Sequence, residues 1–149
     1  MVTAVDVLED IKKLDYMMEL FHTKEYVIVA PSRYMNGGKR FAGKLLNRTL
    51  SRLASVSLHY LTGLPIHDAT NGSKLYRKSF IDSITIESTM GWVIALEITV
   101  KAHMAGALMT EVPTVQFERA KGTSKFKLLK WLPSYLRWYF VAIKHRFLV

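Results

Sequence analysis

The most strand-like run of the chain is Glu25-Tyr26-Val27-Ile28-Val29-Ala30, which is followed by Pro31. Because the run is short, continuous and apolar, it predicts a buried central strand that ends at the proline. A polar loop follows, Ser32-Arg33-Tyr34-Met35-Asn36-Gly37-Gly38-Lys39-Arg40, with three cationic side chains and two adjacent glycines. In α/β sheets, ligands usually bind in loops at the carboxyl ends of strands. We therefore expect a binding site at this loop.

The segments on either side predict a sheet with helices around it. Apolar residues recur at helical spacing from Glu9 to His22, after a strand-like fragment at residues 2–5. Further along, the patterns predict helices at Phe41 to Thr62, Arg77 to Ile84, Val93 to Met104 and from Phe126 onward, and strands at Ala107 to Thr110 and Glu111 to Gln116. This alternation predicts an α/β fold. Since so few strands follow the first fragment, we expect an incomplete domain.

A second polar loop, Asp68-Ala69-Thr70-Asn71-Gly72-Ser73-Lys74, combines a carboxylate, hydroxyls, an amide and a glycine within seven residues. This density predicts either a functional site or an Asx-type turn. Glu97 lies inside an apolar helical segment, where an ionised carboxylate needs a cation or hydrogen-bond donors beside it. We expect Glu97 to be buried and paired rather than catalytic.

A cationic turn at residues 117–125 separates the last predicted strand from the last predicted helix. Arg119 offers a planar fork for an oxyanion, and Lys121 and Lys125 add positive charge. A glycine in the middle lets the backbone bend, so that Ser124 and neighbouring amides can point into one small volume. The turn predicts a phosphate site, although such a basic turn is also typical of a solvated surface loop.

Composition narrows the classes of partner. The 149 residues are 50% hydrophobic, which suits one folded domain with a core. Lysine and arginine number 21 against 12 acidic residues, so the +9 charge favours nucleic acid, a phosphorylated small molecule or an anionic membrane. Residues 118–149 interleave basic and aromatic side chains, which favours a membrane interface. The absence of cysteine excludes disulfides, thiolate metal sites and a cysteine nucleophile.

No run reaches the roughly 18 uninterrupted apolar residues that a spanning helix needs, and the first ten residues include no basic segment of the signal-peptide type. We therefore expect any membrane contact to be peripheral.

Several of these motifs, in this order, resemble one family. They are Ser32-Arg33-Tyr34 with Gly37-Gly38, Arg48 with Ser51-Arg52, Asp68-Ala69-Thr70-Asn71-Gly72, Gly91-Trp92 with Glu97, Glu111-Val112-Pro113, and Phe117-Glu118-Arg119 with Gly122 and Ser124-Lys125. Their order and spacing are similar to those in the carboxyl-terminal part of family 2 glycosyltransferases of the dolichyl-phosphate (polyprenyl-phosphate) mannosyltransferase type.

The resemblance implies an α/β fold of a particular kind. Residues 1–125 would form an incomplete GT-A (Rossmann-like) glycosyltransferase domain that lacks the N-terminal nucleotide-binding strands. Residues 126–149 would form a basic, aromatic amphipathic helix at a membrane interface. Such a protein would lie peripherally at the cytoplasmic face of the membrane.

The resemblance also implies a reaction. A hexose, expected to be mannose, would pass by inverting transfer from a nucleotide sugar, GDP-mannose or UDP-glucose, to a polyprenyl or dolichyl phosphate. Because the lipid phosphate is already an anion, catalysis would rest on positioning and charge stabilisation.

Carried over by position, the resemblance implies roles for individual residues. The catalytic set would be Asp68, Arg119 and Lys121. Contacts to the acceptor phosphate and lipid would come from Arg33, Arg48, Ser51, Arg52, Ser124 and Lys125. A divalent cation, Mg²⁺ or Mn²⁺, would bridge the donor diphosphate to Asp6, although the first acid of the family's Asp-Ala-Asp motif is Ala4 here.

Family members carry further strands ahead of the position of Asp6, and these hold most of the nucleotide pocket. We therefore expect this chain to be an inactive fragment without that half. The alternative interpretation is a non-catalytic basic module that binds an anionic membrane or nucleic acid through residues 121–146. The chain has no recognisable motif for reading nucleic acid, so we expect no nucleic-acid partner.

Overall fold

The computed structural model describes residues 11–41, 43, 45–89, 91–117 and 128–148. Within these residues the fold is mixed α/β, with a small sheet and five helices. The helices are α1 (Ile11–Thr23), α2 (Leu45–Thr62), α3 (Lys78–Ser83), α4 (Val93–Met104) and α5 (Leu128–Leu148). The strands are β1 (Ile28–Ser32), β2 (Lys39–Arg40), β3 (Leu75–Tyr76), β4 (Met109–Pro113) and β5 (Val115–Gln116). The predicted α/β alternation is confirmed, and the fragment predicted at residues 2–5 lies outside the described residues.

Strand β1 is the centre of the sheet. It pairs antiparallel with β3 and parallel with β4, while β2 and β5 form a separate parallel pair. The prediction that this strand ends at Pro31 is wrong, because its ladder with β4 continues through Ser32. The Pro31 carbonyl points away from β4 and accepts a hydrogen bond from Asn71 Nδ2 at 2.8 Å. The proline therefore turns its missing N–H towards the side where β3 has already ended.

Helices cover the sheet on both faces. Helix α1 packs on one face, where Met17 joins Val29, Leu75 and Val112 in a small cluster. The larger cluster, on the other face, contains α4 together with residues of α2 and α5. Most of α4 is buried, and its apolar residues lie all round the helix, as expected for a helix enclosed by neighbours. The core thus fixes α4 between the sheet and α5.

Helix α2 buries two polar residues and one leucine and exposes most of its other leucines. Its buried residues are Ser55, Leu58 and Thr62. The leucine stripe, as we name it, is the exposed set Leu46, Leu50, Leu53 and Leu61. Helix α5 has its own exposed apolar row, formed by Leu132, Leu136, Phe140 and Phe147. The two helices meet where the hydroxyls of Ser57 and Tyr139 lie 2.8 Å apart, so the two apolar rows flank one contact.

In the part of the chain that the structure describes, no helix is both long enough and apolar enough to cross a membrane.

Candidate functional site

The candidate site is built around a buried ion pair between Arg33, directly after β1, and Asp68. Nε and Nη2 of Arg33 donate to Oδ2 and Oδ1 of Asp68 at 2.6 and 2.8 Å, and the Arg33 backbone N–H adds a third bond at 3.0 Å. Asp68 is fully buried and Arg33 is 8% exposed. Burial opposes both charges, but their mutual attraction outweighs it, so the pKa of Asp68 is lowered and the pKa of Arg33 is raised. Both groups are therefore charged in the folded chain.

The loop after β1 is closed by its own side chains. Ser32 Oγ accepts the backbone N–H groups of Tyr34 and Met35 at 3.4 and 3.2 Å. The Met35 carbonyl then accepts the N–H of Gly38 at 2.9 Å. A Cβ at Gly38 would lie 2.5 Å from the Ser32 carbonyl oxygen, so this close approach requires glycine. This tight turn reverses the direction of the chain, so that the loop lies next to the end of β1.

Hydroxyl groups extend the ion pair towards α2. Thr70 Oγ1 lies 3.5 Å from Asp68 Oδ1 and 3.5 Å from Arg33 Nη2. The same oxygen lies 3.0 Å from the hydroxyl of Ser51 and 3.0 Å from that of Ser55. Because the two serines are four residues apart, they occupy one face of α2. The inward polar face of α2 is thus part of the site.

Arg40, on β2, brings a second guanidinium to the cluster. Its Nη1 donates to the Tyr34 hydroxyl at 3.1 Å, and that hydroxyl donates to Ser51 Oγ at 2.9 Å. Its Nε atom is buried and has no hydrogen-bond partner within the described residues. A buried donor without a partner costs roughly 1–3 kcal/mol. An oxyanion is one kind of partner that would remove that cost.

The segment that carries Asp68 and Thr70 is fixed by buried polar side chains. Asn71 Oδ1 accepts the N–H of Ser73 at 3.2 Å, which confirms the predicted Asx-type turn. Lys74 Nζ donates to the Ala69 carbonyl and to Thr99 Oγ1, both at 2.7 Å. Among the described residues, no carboxylate lies at hydrogen-bond distance from Lys74 Nζ, and burial lowers the pKa of Lys74 to about 7. The segment is therefore anchored to β1 and α4 by neutral acceptors.

Glu97 is buried and paired, as predicted. Its two carboxylate oxygens accept the backbone N–H groups of Glu87 and Ser88, each at 2.7 Å, and Lys101 Nζ lies 2.9 Å from Oε1. Burial opposes the charge, but these bonds outweigh it and lower the pKa of Glu97. Trp138 Nε1 of α5 donates to Ser88 Oγ at 2.9 Å. Glu97 therefore ties α4 and α5 together.

The structure brings three of the predicted site residues, Arg33, Asp68 and Ser51, into one network. Because both oxygens of Asp68 are taken by Arg33, the geometry favours support of Arg33 over contact with a substrate. Arg48 donates to the Phe41 carbonyl at 3.0 Å, and Arg52 is exposed one turn further along α2. The remaining predicted residues, Asp6, Arg119, Lys121, Ser124 and Lys125, lie outside the described residues, so their roles stay predictions.

Within the described ranges, no group of three or more histidine, aspartate or glutamate side chains is arranged to hold a metal ion. The predicted Mg²⁺ or Mn²⁺ therefore rests on Asp6, which the structure does not describe.

Sequence reasoning missed several members of the cluster as individual residues. Thr70 and Ser55 gave no signal of their own, since a hydroxyl is found on any polar surface. Arg40 was visible only as one cation of the first loop. The useful signal was the pair of serines four residues apart, which places two hydroxyls on one helix face.

Two curated proteins are similar to the chain over part of its length. The polyprenol monophosphomannose synthase of Mycolicibacterium smegmatis is 30% identical over 112 residues, which cover 67% of this chain and 42% of that protein. The undecaprenyl-phosphate mannosyltransferase of Micrococcus luteus is 27% identical over 116 residues, which cover 76% of this chain and 47% of that protein. No family model matches the chain.

The chain thus spans less than half the length of these curated relatives. The matched part nevertheless takes in most of the chain, and it fits the resemblance drawn from the polar loops. The chain belongs to a polyprenyl-phosphate mannosyltransferase-like family.

Proposed function

We propose that the chain provides the acceptor side of an inverting glycosyltransferase that moves a hexose, mannose in the first instance, to a polyprenyl or dolichyl phosphate. The observation that carries the proposal is the Arg40 guanidinium, whose buried Nε has no partner among the residues that the structure describes. An oxyanion is the natural partner of such a group. The names of both relatives, which describe a lipid phosphate and mannose, support this choice of anion.

The roles follow from which donors are still available. Arg33 is engaged by Asp68 and by Gln116, whose Oε1 accepts from Nη1 at 3.2 Å, so Arg33 holds the site in shape. Arg40, Arg48 and Arg52 then supply the charge that meets the acceptor phosphate. In the reaction, the phosphate oxygen forms a bond to the anomeric carbon, and the bond from that carbon to the nucleoside diphosphate breaks. Arg119 and Lys121, with Ser124 and Lys125, are proposed to stabilise the charge on the phosphates.

Membrane contact is part of the same proposal. A polyprenyl chain is insoluble in water, so its phosphate must be taken from a bilayer surface. The leucine stripe of α2 is exposed on the opposite side of that helix from Ser55, which faces the candidate site. A helix with an apolar outer face and flanking arginines is suited to lie in an interface. We propose peripheral binding at the cytoplasmic face through α2 and α5.

The donor side is proposed on the resemblance alone. It would be an incomplete GT-A domain in this chain, with GDP-mannose or UDP-glucose as the donor and with Mg²⁺ or Mn²⁺ near Asp6. Transfer would then require the strands that the longer relatives carry, and the chain alone would bind acceptor without transferring sugar.

The first test is binding of citronellyl phosphate, a short soluble prenyl phosphate, to the purified chain, with citronellol as the uncharged comparison. We expect the phosphate to bind and the alcohol not to bind. Arg40→Gln should weaken binding by about tenfold or more, because a charge-assisted bond is lost. Lys78→Gln is the matched control, since Lys78 is an exposed cation on α3. Equal binding of phosphate and alcohol would overturn the acceptor site.

The second test is sugar transfer by the protein as its source cells make it. GDP-mannose and UDP-glucose are supplied in turn with polyprenyl phosphate, and lipid-linked hexose is measured with and without a chelator. Metal-dependent transfer from either donor supports the proposal and identifies the sugar. Binding without any transfer would favour the alternative, a non-catalytic module for anionic membranes.

A further inference from the structure

Two tryptophan rings pack directly on two glycines, in a series that joins α5 to the candidate site. A Cβ at Gly72 would lie 2.0 Å from Trp92 Cε3 and 2.5 Å from Cζ3, so the indole rests on the Gly72 backbone. A Cβ at Gly91 would lie 2.7 Å from Trp131 Cη2 and 2.9 Å from Cζ2. Trp131 belongs to α5, and Gly91 precedes Trp92 in the chain. The order of contact is therefore Trp131 to Gly91, and Trp92 to Gly72.

The end of this series lies next to the residues that form the site. Gly72 is two residues after Thr70 and four after Asp68. The other anchors of this segment are the bonds from Asn71 Nδ2 to the Pro31 carbonyl and from Lys74 Nζ to Thr99 Oγ1. Trp92 covers the segment over Gly72 while remaining 38% exposed itself. Part of the Trp92 ring therefore faces solvent while the rest lies on the Gly72 backbone.

Helix α5 carries a second aromatic ring beside Trp131. Burial raises the pKa of Tyr135 to about 12, and the positive charge of Arg33 acts against that rise. Trp131 and Tyr135 are four residues apart, so they share one face of α5. The face of α5 that carries these two rings thus includes the contact with Gly91.

We propose that Trp92 is a positioning residue for the Asp68–Lys74 segment and that Trp131 sets the place of Trp92 according to the position of α5. Seating α5 on a surface then changes the order of the segment that holds Arg33. By linkage, an acceptor bound at the site favours the seated position of α5 to the same extent. This inference rests on the proposed function only for its ligand, because the contacts themselves need none.

The test is amide hydrogen exchange at residues 69–73, measured for the chain and for Trp92→Ala and Trp131→Ala. Both variants should exchange faster there by about tenfold or more, since a local opening loses a packed ring. Phe147→Ala is the control, because Phe147 is an aromatic residue of α5 that is 71% exposed. Trp92→Phe and Trp131→Phe, which keep only a smaller ring, should exchange at rates between those of the unmodified chain and those of the alanine variants.

Three results would overturn the proposal or part of it. If Trp131→Ala speeds exchange only near residue 91 and in α5, transmission from α5 is excluded. If neither alanine variant affects residues 69–73, Trp92 positions nothing. If exchange rises equally at residues 96–100 of α4, the variant is globally unstable. The phenylalanine variants then decide the matter. If their exchange at residues 69–73 equals that of Phe147→Ala, transmission through Trp131 and Trp92 is contradicted.

A second measurement separates positioning from mere packing. Vesicles of equal parts phosphatidylcholine and phosphatidylglycerol are added to the chain and to Trp131→Phe. In the unmodified chain, the amide exchange rate at residues 69–73 should change when vesicles are added. In Trp131→Phe, which should still bind the vesicles, this change should be smaller. An unchanged response would contradict transmission through Trp131. If citronellyl phosphate fails to bind while exchange behaves as expected, the proposed function fails and the positioning inference stands.

Discussion

The guanidinium of Arg33 and the carboxylate of Asp68 form two parallel hydrogen bonds, at 2.6 and 2.8 Å, in a place from which water is excluded. Removing one partner leaves the other charge buried without compensation, which typically costs 3–5 kcal/mol. We therefore expect Asp68→Ala to lower the free energy of unfolding by about 4 kcal/mol in urea denaturation. The double variant Arg33→Met with Asp68→Leu should lose much less than the two single variants together. Additive losses would mean that the pair is not coupled.

The pair also predicts a response to acid. The pKa of Asp68 is lower in the folded chain than in the unfolded chain, so the unfolded chain binds more protons as the pH falls. The stability due to Asp68 is complete above its unfolded pKa of about 4 and is lost below it. Urea midpoints measured from pH 6 downwards should fall less steeply in the double variant than in the unmodified chain.

Lys74 predicts a change in the same direction, in a more alkaline window. Its pKa is about 7 in the folded chain against 10.5 ordinarily, so between these values the unfolded chain holds a proton that the folded chain has released. Stability should therefore rise with pH across this window, by at most about 1.4 kcal/mol per pH unit. Lys74→Met should abolish the rise, and Lys78→Met, at an exposed lysine, should leave it in place. A rise that survives Lys74→Met would contradict the assignment.

Glu97 predicts how firmly the loop at residues 87 and 88 is held against α4. Glu97→Gln would place an amide NH₂ against one of two backbone donors, from Glu87 and Ser88, and would also lose the Lys101 pair. We expect a loss of roughly 1–3 kcal/mol, with faster amide exchange at residues 87 and 88. The control is Glu25→Gln, at an exposed glutamate before β1. Unchanged exchange at both amides would mean that the carboxylate does not order this loop.

The leucine stripe predicts membrane affinity. Replacing Leu46, Leu50 and Leu53 together by glutamine should weaken vesicle binding by roughly 100-fold or more, because three apolar side chains no longer enter the interface. Folding should survive, since all three are exposed. Tyr16→Ser, at an exposed aromatic residue on α1, is the control. Equal binding of the stripe variant and the control in a sedimentation assay would exclude α2 from the membrane surface.

Much of the fold was predictable from periodicity. The helical spacing of apolar residues predicted α2, α4 and α5, although in α2 most of these residues form an exposed row. Gly63 adopts φ +72° directly after α2, as a helix stop does. Strand β3 was not predictable, because its two residues follow a polar turn and carry no period of their own. The continuation of β1 through Pro31 was not predicted. A proline is tolerated in a strand only where no partner strand needs its N–H, and this depends on where β3 ends.

The candidate site was predictable in its parts rather than in its pairings. Asp68 was singled out as catalytic and Arg33 as a contact to the acceptor phosphate, but no pattern in the sequence predicted that the two side chains pair with each other. That pairing joins residues 35 positions apart, so it depends on the tertiary fold. The contact between Trp92 and Gly72 also depends on the tertiary fold. The sequence shows a glycine beside polar residues, but only the packing of the Trp92 ring shows why a side chain does not fit there.

Pro31 has a consequence for association between chains. Beyond β3, one side of β1 would offer unpaired backbone groups, which can recruit a strand from another molecule. Here the proline offers no donor on that side, and its carbonyl is already bound by Asn71. A strand from a second chain would therefore find neither a donor nor a free acceptor at Pro31. Pro31 therefore leaves no ladder for another strand to extend on the β3 side of β1, close to the loop that carries Arg33.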